Sequence, residues 1–509
     1  MSRSFTLSLN TVPKASNRMK GAGCDSSRGT RAFAVVVHLS PLARADRVPD
    51  RVREQSRPKH EPVILSEALK GLGHRLRLIL WALAPLVLLP SVAVMARGVP
   101  EIYGRVVKFA GEFEPFRVGV DQFRLQNPDA ATPADRELVQ SIADVVFADL
   151  DYSYLFESVR PDSVYLRIMG LAQIDRRGWH HLGADYLIEG EVELDGDNVA
   201  VSYTLSDIAT DREFFHRELK ARRASVRLLA HALADEVYRE LARAEGIFQS
   251  RLAYLHESQG AKEVHICDYD GADDMRVTAD RTIILSPRWA GSNALSYTSF
   301  RDGNPDVWVY DLLKDRAAKF SSFPGLNTGC SWTRDGKRYA LSLSVEGNSE
   351  IYVGERGSKS APRRITYSQG IDTSPSFSPD GKKIIFTSDR SSTPQVYIMD
   401  VDGTNVERLT TEGHYNDSPD WSPTLDMIAF VSRSEGVFQI CTMRPDGNGV
   451  RSLTEVGSNE NPHWSPDGLH IVFASNRTGT YEIYTMSFDG SGVRRVTTTG
   501  GNTNSAWSP

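Results

Sequence analysis

Cysteine is scarce in this chain, with four in 509 residues. Cys24 lies in a basic leader, and Cys267, Cys330 and Cys441 are scattered and odd in number, so no disulfide framework is expected. Their spacing fits no zinc pattern, and the expectation is small buried hydrophobes. Catalytic signatures are missing as well. There is no Gly-x-Ser-x-Gly, the strand–turn–helix nucleophile of many hydrolases, and no His-Glu-x-x-His. The last repeat unit runs to Pro509, so no hydrolase domain is expected behind it. His180-His181, alone beside Trp179, reads as surface or packing. Asp268, Asp270, Asp273 and Asp274 imitate a calcium loop only in outline. Its glycine position holds Asp273 and its bidentate-glutamate position holds Ala279, so an Asp-Gly hairpin turn is expected, without metal or other cofactor.

Positive charge is in short supply outside the leader. Residues 1–77 carry 15 Lys/Arg against 6 Asp/Glu, so a total of −6 leaves −15 for residues 78–509. An acidic body lacks the basic footprint that nucleic acid requires, and no nucleic-acid partner is expected. Residues 1–77 read as a disordered leader or a mis-assigned start. The one long apolar run, 78–96 (LILWALAPLVLLPSVAVMA), follows Lys70, Arg75 and Arg77 and ends in Val94-Met95-Ala96, the plan of a signal peptide. A retained membrane anchor is the rival reading, which Pro85 and Pro90 weaken. Either way the body is exported. An arm follows at 97–114. Its stretch 97–111 (RGVPEIYGRVVKFAG) suits strand addition to a partner's sheet edge, or tucking against its own domain.

What the chain does have is a repeat. An aromatic anchor recurs as Trp289, Trp332, Phe377, Trp421, Trp464 and Trp507, at spacings of 43, 45, 44, 43 and 43 residues. In SPSFSPDGKKIIFTSDRSSTPQVYIMDVDG (374–403) two β-branched runs, 384–387 and 396–399, follow a Ser378-Pro379-Asp380-Gly381 turn. A fourth strand, 408–410, completes the unit. A period near 43 with four short strands per unit predicts a β-propeller. The last anchor strand stands alone, while 252–255, 264–268 and 281–285 read as three strands lacking one. Joining them predicts six blades over 250–509, closed by the last strand.

Residues 115–245 have a different grammar, that of an α/β domain. A strand is expected at 116–123. Thr132-Pro133 then opens a helix with an Ile142, Val145, Val146 and Leu150 stripe. A hairpin, 186–194 and 198–206, turns at Asp195-Gly196, and 214–219 adds a strand. Ser225 is expected to cap a last helix with Leu228, Leu229, Ala232 and Val237 inward. Only 245–248 separate this domain from the propeller. The fold class is therefore multidomain, α+β followed by all-β.

FRVGV at 116–120, LGADYLIEGEVEL at 182–194, ALADEVYRELARAEGIFQSRLAYL at 232–255, IDTSPSFSPDG at 371–381 and the terminal AWSP resemble the TolB family, with its WD40-like propeller. The resemblance covers roughly residues 98–509. It implies a periplasmic, non-enzymatic and monomeric component of the Tol-Pal envelope system. Such a component binds the peptidoglycan-associated lipoprotein on its propeller and an inner-membrane Tol protein through its N-terminal arm. The system supports outer-membrane integrity and constriction at division.

Residues just before each inner strand should ring one channel mouth. The candidate partner-binding set is Leu326, Asn327, Thr328, Gly329, Asp372, Thr373, Asn416, Asp417, Asn459, Glu460, Asn502 and Asn504. Their amides, carboxylates and hydroxyls suit hydrogen-bonded docking, although the same residue types also favour turns. By resemblance, Thr373 matches a lipoprotein-contacting threonine, while Leu326 and Gly329 replace a His-x-x-Ala stretch. The alternative is an exported propeller that binds or cleaves a glycan or peptide in its channel, with paired carboxylates or histidines inside it.

Overall fold

The computed structural model describes residues 114–161 and 174–509. The leader, the apolar run with Val94-Met95-Ala96, Cys24 and the arm up to residue 113 lie outside the described residues. Among the described residues no helix is long and apolar enough to cross a membrane.

The first sheet is mixed. Phe116–Val120 pairs in parallel with both Phe156–Val159 and Tyr186–Asp195. Tyr186–Asp195, Asn198–Asp207 and Arg212–Arg222 then continue as an antiparallel meander. The expected strand 116–123 stops at Val120 and resumes as the short Arg124–Leu125. Two helices cover one face, Pro133–Tyr152 and Val226–Ala242. Thr132 caps the first, and Asp135 returns the bond to the Thr132 amide. The Thr132 amide and the Thr132 hydroxyl both donate to the Asp135 carboxylate, at 2.9 and 2.8 Å, and with Arg223 beside it they draw its pKa down to about 2. Ile142, Val146 and Leu150 are buried as the stripe requires. The second helix is rotated from expectation. Leu229, Leu233 and Val237 face the core, whereas Leu228, a hundred degrees round the helix, is 55% exposed. Ser225 holds the N-cap position without a side-chain bond, because it ends a 3-10 turn instead of an extended segment.

Six four-stranded antiparallel sheets follow. Five are continuous in sequence. The sixth joins Asn502–Trp507 to Arg251–Ser258, Ala261–Asp268 and Met275–Arg276, so closure uses both ends of this region, as the repeat count predicts. One strand of that reading is corrected. Residues 281–285 do not form the last strand of the closing blade. That strand is Met275–Arg276, and Ile284 already begins the inner strand Ile284–Trp289 of the next. All six anchors end inner strands. Three indoles bridge sheets: Trp289 Nε1 donates to Ala506 O at 3.3 Å, Trp332 to Ser296 Oγ at 3.0 Å, and Trp464 to Asp420 O at 3.1 Å. Trp507 reaches Ser250 Oγ at 2.7 Å, just ahead of the first propeller strand. Cys267, Cys330 and Cys441 are buried and unbonded.

The mixed sheet and the propeller share a buried junction. Tyr269 on the propeller donates to Asp149 Oδ1 at 2.6 Å, and His231 Nδ1 lies 2.8 Å from Asp149 Oδ2. Tyr152 stacks on His470 with ring centroids 4.6 Å apart. Asp235 accepts from the Phe248 amide at 3.1 Å and from Gln249 Nε2 at 2.8 Å. Gly246 fits because a Cβ there would lie 2.0 Å from Asp235 Oδ1.

Deleting 502–509, or replacing Trp507 with Ala, tests the closure. The Trp507→Ala variant should lose about 3–5 kcal/mol in urea unfolding, and the deletion more, because it removes the inner strand of the closing blade with its whole pairing to Arg251–Ser258. Asp235 supplies a pH test. Burial pushes its carboxyl up to about 6 from the ordinary 3.8, so the folded state binds its proton more tightly than the unfolded chain does. Its contribution is therefore present below about pH 4 and is lost as pH rises through about 6, a swing of about 3 kcal/mol. In Asp235→Asn, the stability gained over the unmodified protein should grow by about 2 kcal/mol between about pH 4.5 and 7.5, read from urea midpoints.

Candidate functional site

The inner strands share one plan, and its first residue is structural. Asn327, Asp372, Asn416, Asn459 and Asn502 open five of these strands, and none is more than 2% exposed. They belong to a latch that repeats from blade to blade. Glu482, on a third strand, accepts from Thr497 Oγ1 at 2.6 Å, from the Gly500 amide at 2.8 Å and from Asn502 Nδ2 of the next inner strand at 2.6 Å. Gln395 with Thr410 and Asn416, and Gln439 with Thr454 and Asn459, repeat it. Glu350 binds Thr366 Oγ1 at 2.6 Å, and Asp372 instead pairs with Arg390 at 2.8 Å. Asn327 closes on Ser321 and Phe323. These five side chains are unavailable to a partner unless the latch opens. Asparagine at strand openings signals this local bonding, the reading that turn chemistry had favoured.

The remaining candidates lie on the channel side. Thr328, Thr373, Asp417 and Glu460 hold the second position and are half-buried. Asp417 accepts from Thr387 Oγ1 at 2.8 Å and from Tyr415 OH at 2.9 Å, and Glu460 accepts from Tyr481 OH. Gly329 and Asn504 hold the third position, where every inner strand bulges into a left-handed conformation: Ser286, Gly329, Ser374, Ser418, Asn461 and Asn504 have φ between 49° and 64°. Leu326 is half-buried one residue ahead of its strand.

That last position shows what the sequence reading missed. The residue before each inner strand accepts a backbone bond from the end of the adjoining second strand: Phe300 N to Ile283 O, Ser344 N to Leu326 O, Asp389 N to Ile371 O, and Arg433 N to Tyr415 O. The equivalence places Ile283, Leu326, Ile371 and Tyr415 on four successive blades, followed by Ser458 and Gly501. Ile283 is 55% and Ile371 46% exposed. One mouth thus carries an apolar crescent along four of its six blades, over the polar second-position ring.

Deeper in, the residue before each anchor lines the channel: Arg288, Ser331, Ser376, Asp420 and His463, with Ala506 completing the ring. The cavity is about 190 Å³ and extends to the opposite mouth, framed by Pro379, Pro423, Pro466 and Pro509. Asp420 accepts from Ser376 Oγ at 3.2 Å and from the Trp464 amide at 2.9 Å. His463 Nδ1 lies 3.6 Å from Asp420, and burial pushes its pKa down, so the ring is neutral at pH 7. Among the described residues no cluster of His, Cys, Asp and Glu could hold a metal ion. His180 and His181 end a short helix whose Trp179 is fully buried.

The model of the TolB beta propeller domain matches residues 238–509, more than half of the chain, and that of the TolB amino-terminal domain matches 106–214. The chain belongs to the TolB family. It is similar to the Tol-Pal system protein TolB of Bordetella pertussis, 31% identical over 266 residues, 52% of this chain and 60% of that protein. It is also similar to the Tol-Pal system protein TolB of Desulfosudis oleivorans, 36% identical over 247 residues, 47% of this chain and 55% of that one. The chain thus spans between half and two thirds of the length of these curated relatives. The crystal structure of TolB from Acinetobacter baumannii superimposes with a TM-score of 0.66 at 28% identity, covering 78% of this chain and 97% of that one.

The latch makes a quantitative demand on the family fold. Glu482→Ala would leave the Thr497, Asn502, Gly500 and Arg495 donors without their acceptor. Each buried donor left unpaired costs about 1–3 kcal/mol, so the variant should lose at least about 3 kcal/mol in urea unfolding. Glu482→Gln should lose less, since Gln395 and Gln439 do the same work in other blades.

Proposed function

We propose that this protein is a periplasmic scaffold of the Tol-Pal system, and that it docks the peptidoglycan-associated lipoprotein on the mouth bearing Ile283, Leu326, Ile371 and Tyr415. The observation that carries the reading is that crescent. Exposed Ile283 and Ile371, with half-buried Leu326 on the blade between them, stand beside half-buried Thr328, Thr373, Asp417 and Glu460 and give an apolar centre with a polar margin, the anatomy of a protein interface. The two similar Tol-Pal proteins supply the partner class. The mouth is also clear of the mixed sheet, whose contacts through Tyr152 with His470 and Tyr154 with Phe488 fall where second strands begin and third strands end, on the opposite side. The N-terminal arm, 97–114, would contact an inner-membrane Tol protein, and the exported monomer would support outer-membrane integrity and division by linking the two partners.

Scaffolding is favoured over catalysis because, among the described residues, Asp420 is the one carboxylate lining the inner cavity, while Asp417 and Glu460 at the mouth are tied to Tyr415 and Tyr481. Asp420 also has both oxygens engaged, by Ser376 and the Trp464 amide. That leaves no free acid and base facing each other across a substrate.

Calorimetric titration of the protein with the soluble domain of the same organism's peptidoglycan-associated lipoprotein tests the reading. Micromolar or tighter binding is expected. Thr373→Arg and Ile371→Glu should each abolish it without lowering the thermal midpoint, since neither side chain is part of the latch. Binding that survives both substitutions would move the interface elsewhere.

A further inference from the structure

Arg288 is out of keeping with its surroundings. It occupies the channel-lining position before an anchor, where the next two blades carry Ser331 and Ser376. Among the described residues its guanidinium makes one hydrogen bond, from Nη1 to the carbonyl of adjacent Pro287 at 3.0 Å. Asp420, three blades away round a six-bladed ring, stands across the channel and attracts it only at long range. Among the described residues no carboxylate pairs with the guanidinium. Burial disfavours its charge, yet an arginine keeps its proton at any physiological pH. Arg288 is half-buried, and a cation partly withdrawn from water at the wall of a cavity, with most of its N–H donors unmatched by protein, is a favourable seat for an anion.

The surroundings favour an anion over a second cation. Asp420 is already satisfied, and His463 is neutral. Ser286, two residues before Arg288 on the same strand, and Ser331, at the equivalent position of the next blade, line the same cavity with hydroxyls free of intramolecular bonds. We infer that the central channel is a binding site for a small oxyanion, a carboxylate or a phosphate, gripped by the Arg288 fork and by the hydroxyls of Ser286 and Ser331. Guanidinium matches either group bidentately, which gives the geometry its preference for a planar or tetrahedral oxyanion over halide. A cavity of about 190 Å³ admits a small molecule and excludes a folded partner. The cavity extends to the proline-framed mouth, away from the crescent, so the site does not depend on where the lipoprotein docks.

The test is calorimetry on the full chain at low ionic strength, with inorganic phosphate in one arm and N-acetylglycine in another. Uncharged N-acetylglycinamide is the control. One oxyanion should saturate a single site per chain, the amide should not bind, and the arm that responds identifies the anion class. Arg288→Gln should weaken binding about tenfold or more, Arg288→Lys less. Ser331→Asp, which puts a negative charge in the proposed seat, should abolish it, and serves if Arg288→Gln does not fold. Lipoprotein affinity should be unchanged in Arg288→Gln, so a failure here is separable from a failure of the docking mouth. No saturable binding of either ion, or undiminished binding in Arg288→Gln and Ser331→Asp, would overturn the inference.

Discussion

The propeller depends on a buried bond network that ties each blade to the next. A Glu or Gln at the head of a third strand takes the hydroxyl of a threonine beyond the fourth strand and, in three blades, the amide of an asparagine opening the following inner strand. The threonine hydroxyl also accepts the amide of the residue after that acceptor or close to it, as Ile483 N does to Thr497 at 2.9 Å. A two-residue outer strand such as Arg494–Arg495 has too few ladder bonds to hold itself in place. The latch supplies what the ladder lacks, and it fixes the angle at which successive blades meet. Indole bridges from the anchors do the same work nearer the axis.

That constraint sorts the channel into layers. Because the first residue of each inner strand is turned into the latch, the second and third residues face the axis, and the left-handed bulge at the third position re-aims the chain. The residue before the anchor then points inward again. One mouth gets its chemistry from the residues ahead of the latch, apolar on four blades. The channel gets its chemistry from the residues ahead of the anchors, polar on five. Two surfaces with different ligands can therefore sit on one set of strands without sharing a side chain. The mixed sheet bears on the propeller by way of Asp149, Tyr269 and Asp235, a buried polar seam in which each carboxylate is matched to donors on both sides or on the connecting 245–250 segment.

Much of this was legible beforehand. The six anchors at nearly constant spacing specify blade number and closure, since an unmatched strand at one end can pair only with an incomplete blade at the other. Thr132-Pro133 located a helix start correctly because a capping box is local chemistry. The errors are those of phase and length. The 281–285 strand was misplaced since a two-residue strand, Met275–Arg276, leaves almost no periodic signal. Leu228 was assigned inward because one residue of helical phase cannot be told from spacing alone when leucines are adjacent. The channel charges were in plain view as the residues before the anchors in SPRW, SPDW and NPHW, yet only an alignment of the repeats on their anchors makes them a ring.

The sequence by itself determined the class, the repeat, the closure and the acidic character of residues 78–509, because each follows from composition or from spacing along one chain. Tertiary structure decided which polar residues bond inward and which border the channel. Asn416 and Asp417 are neighbours of similar chemistry, and one is buried in a latch while the other borders the channel. Strand alternation sends them to opposite faces, and only the packing of one blade against the next says which face is filled by protein and which is open.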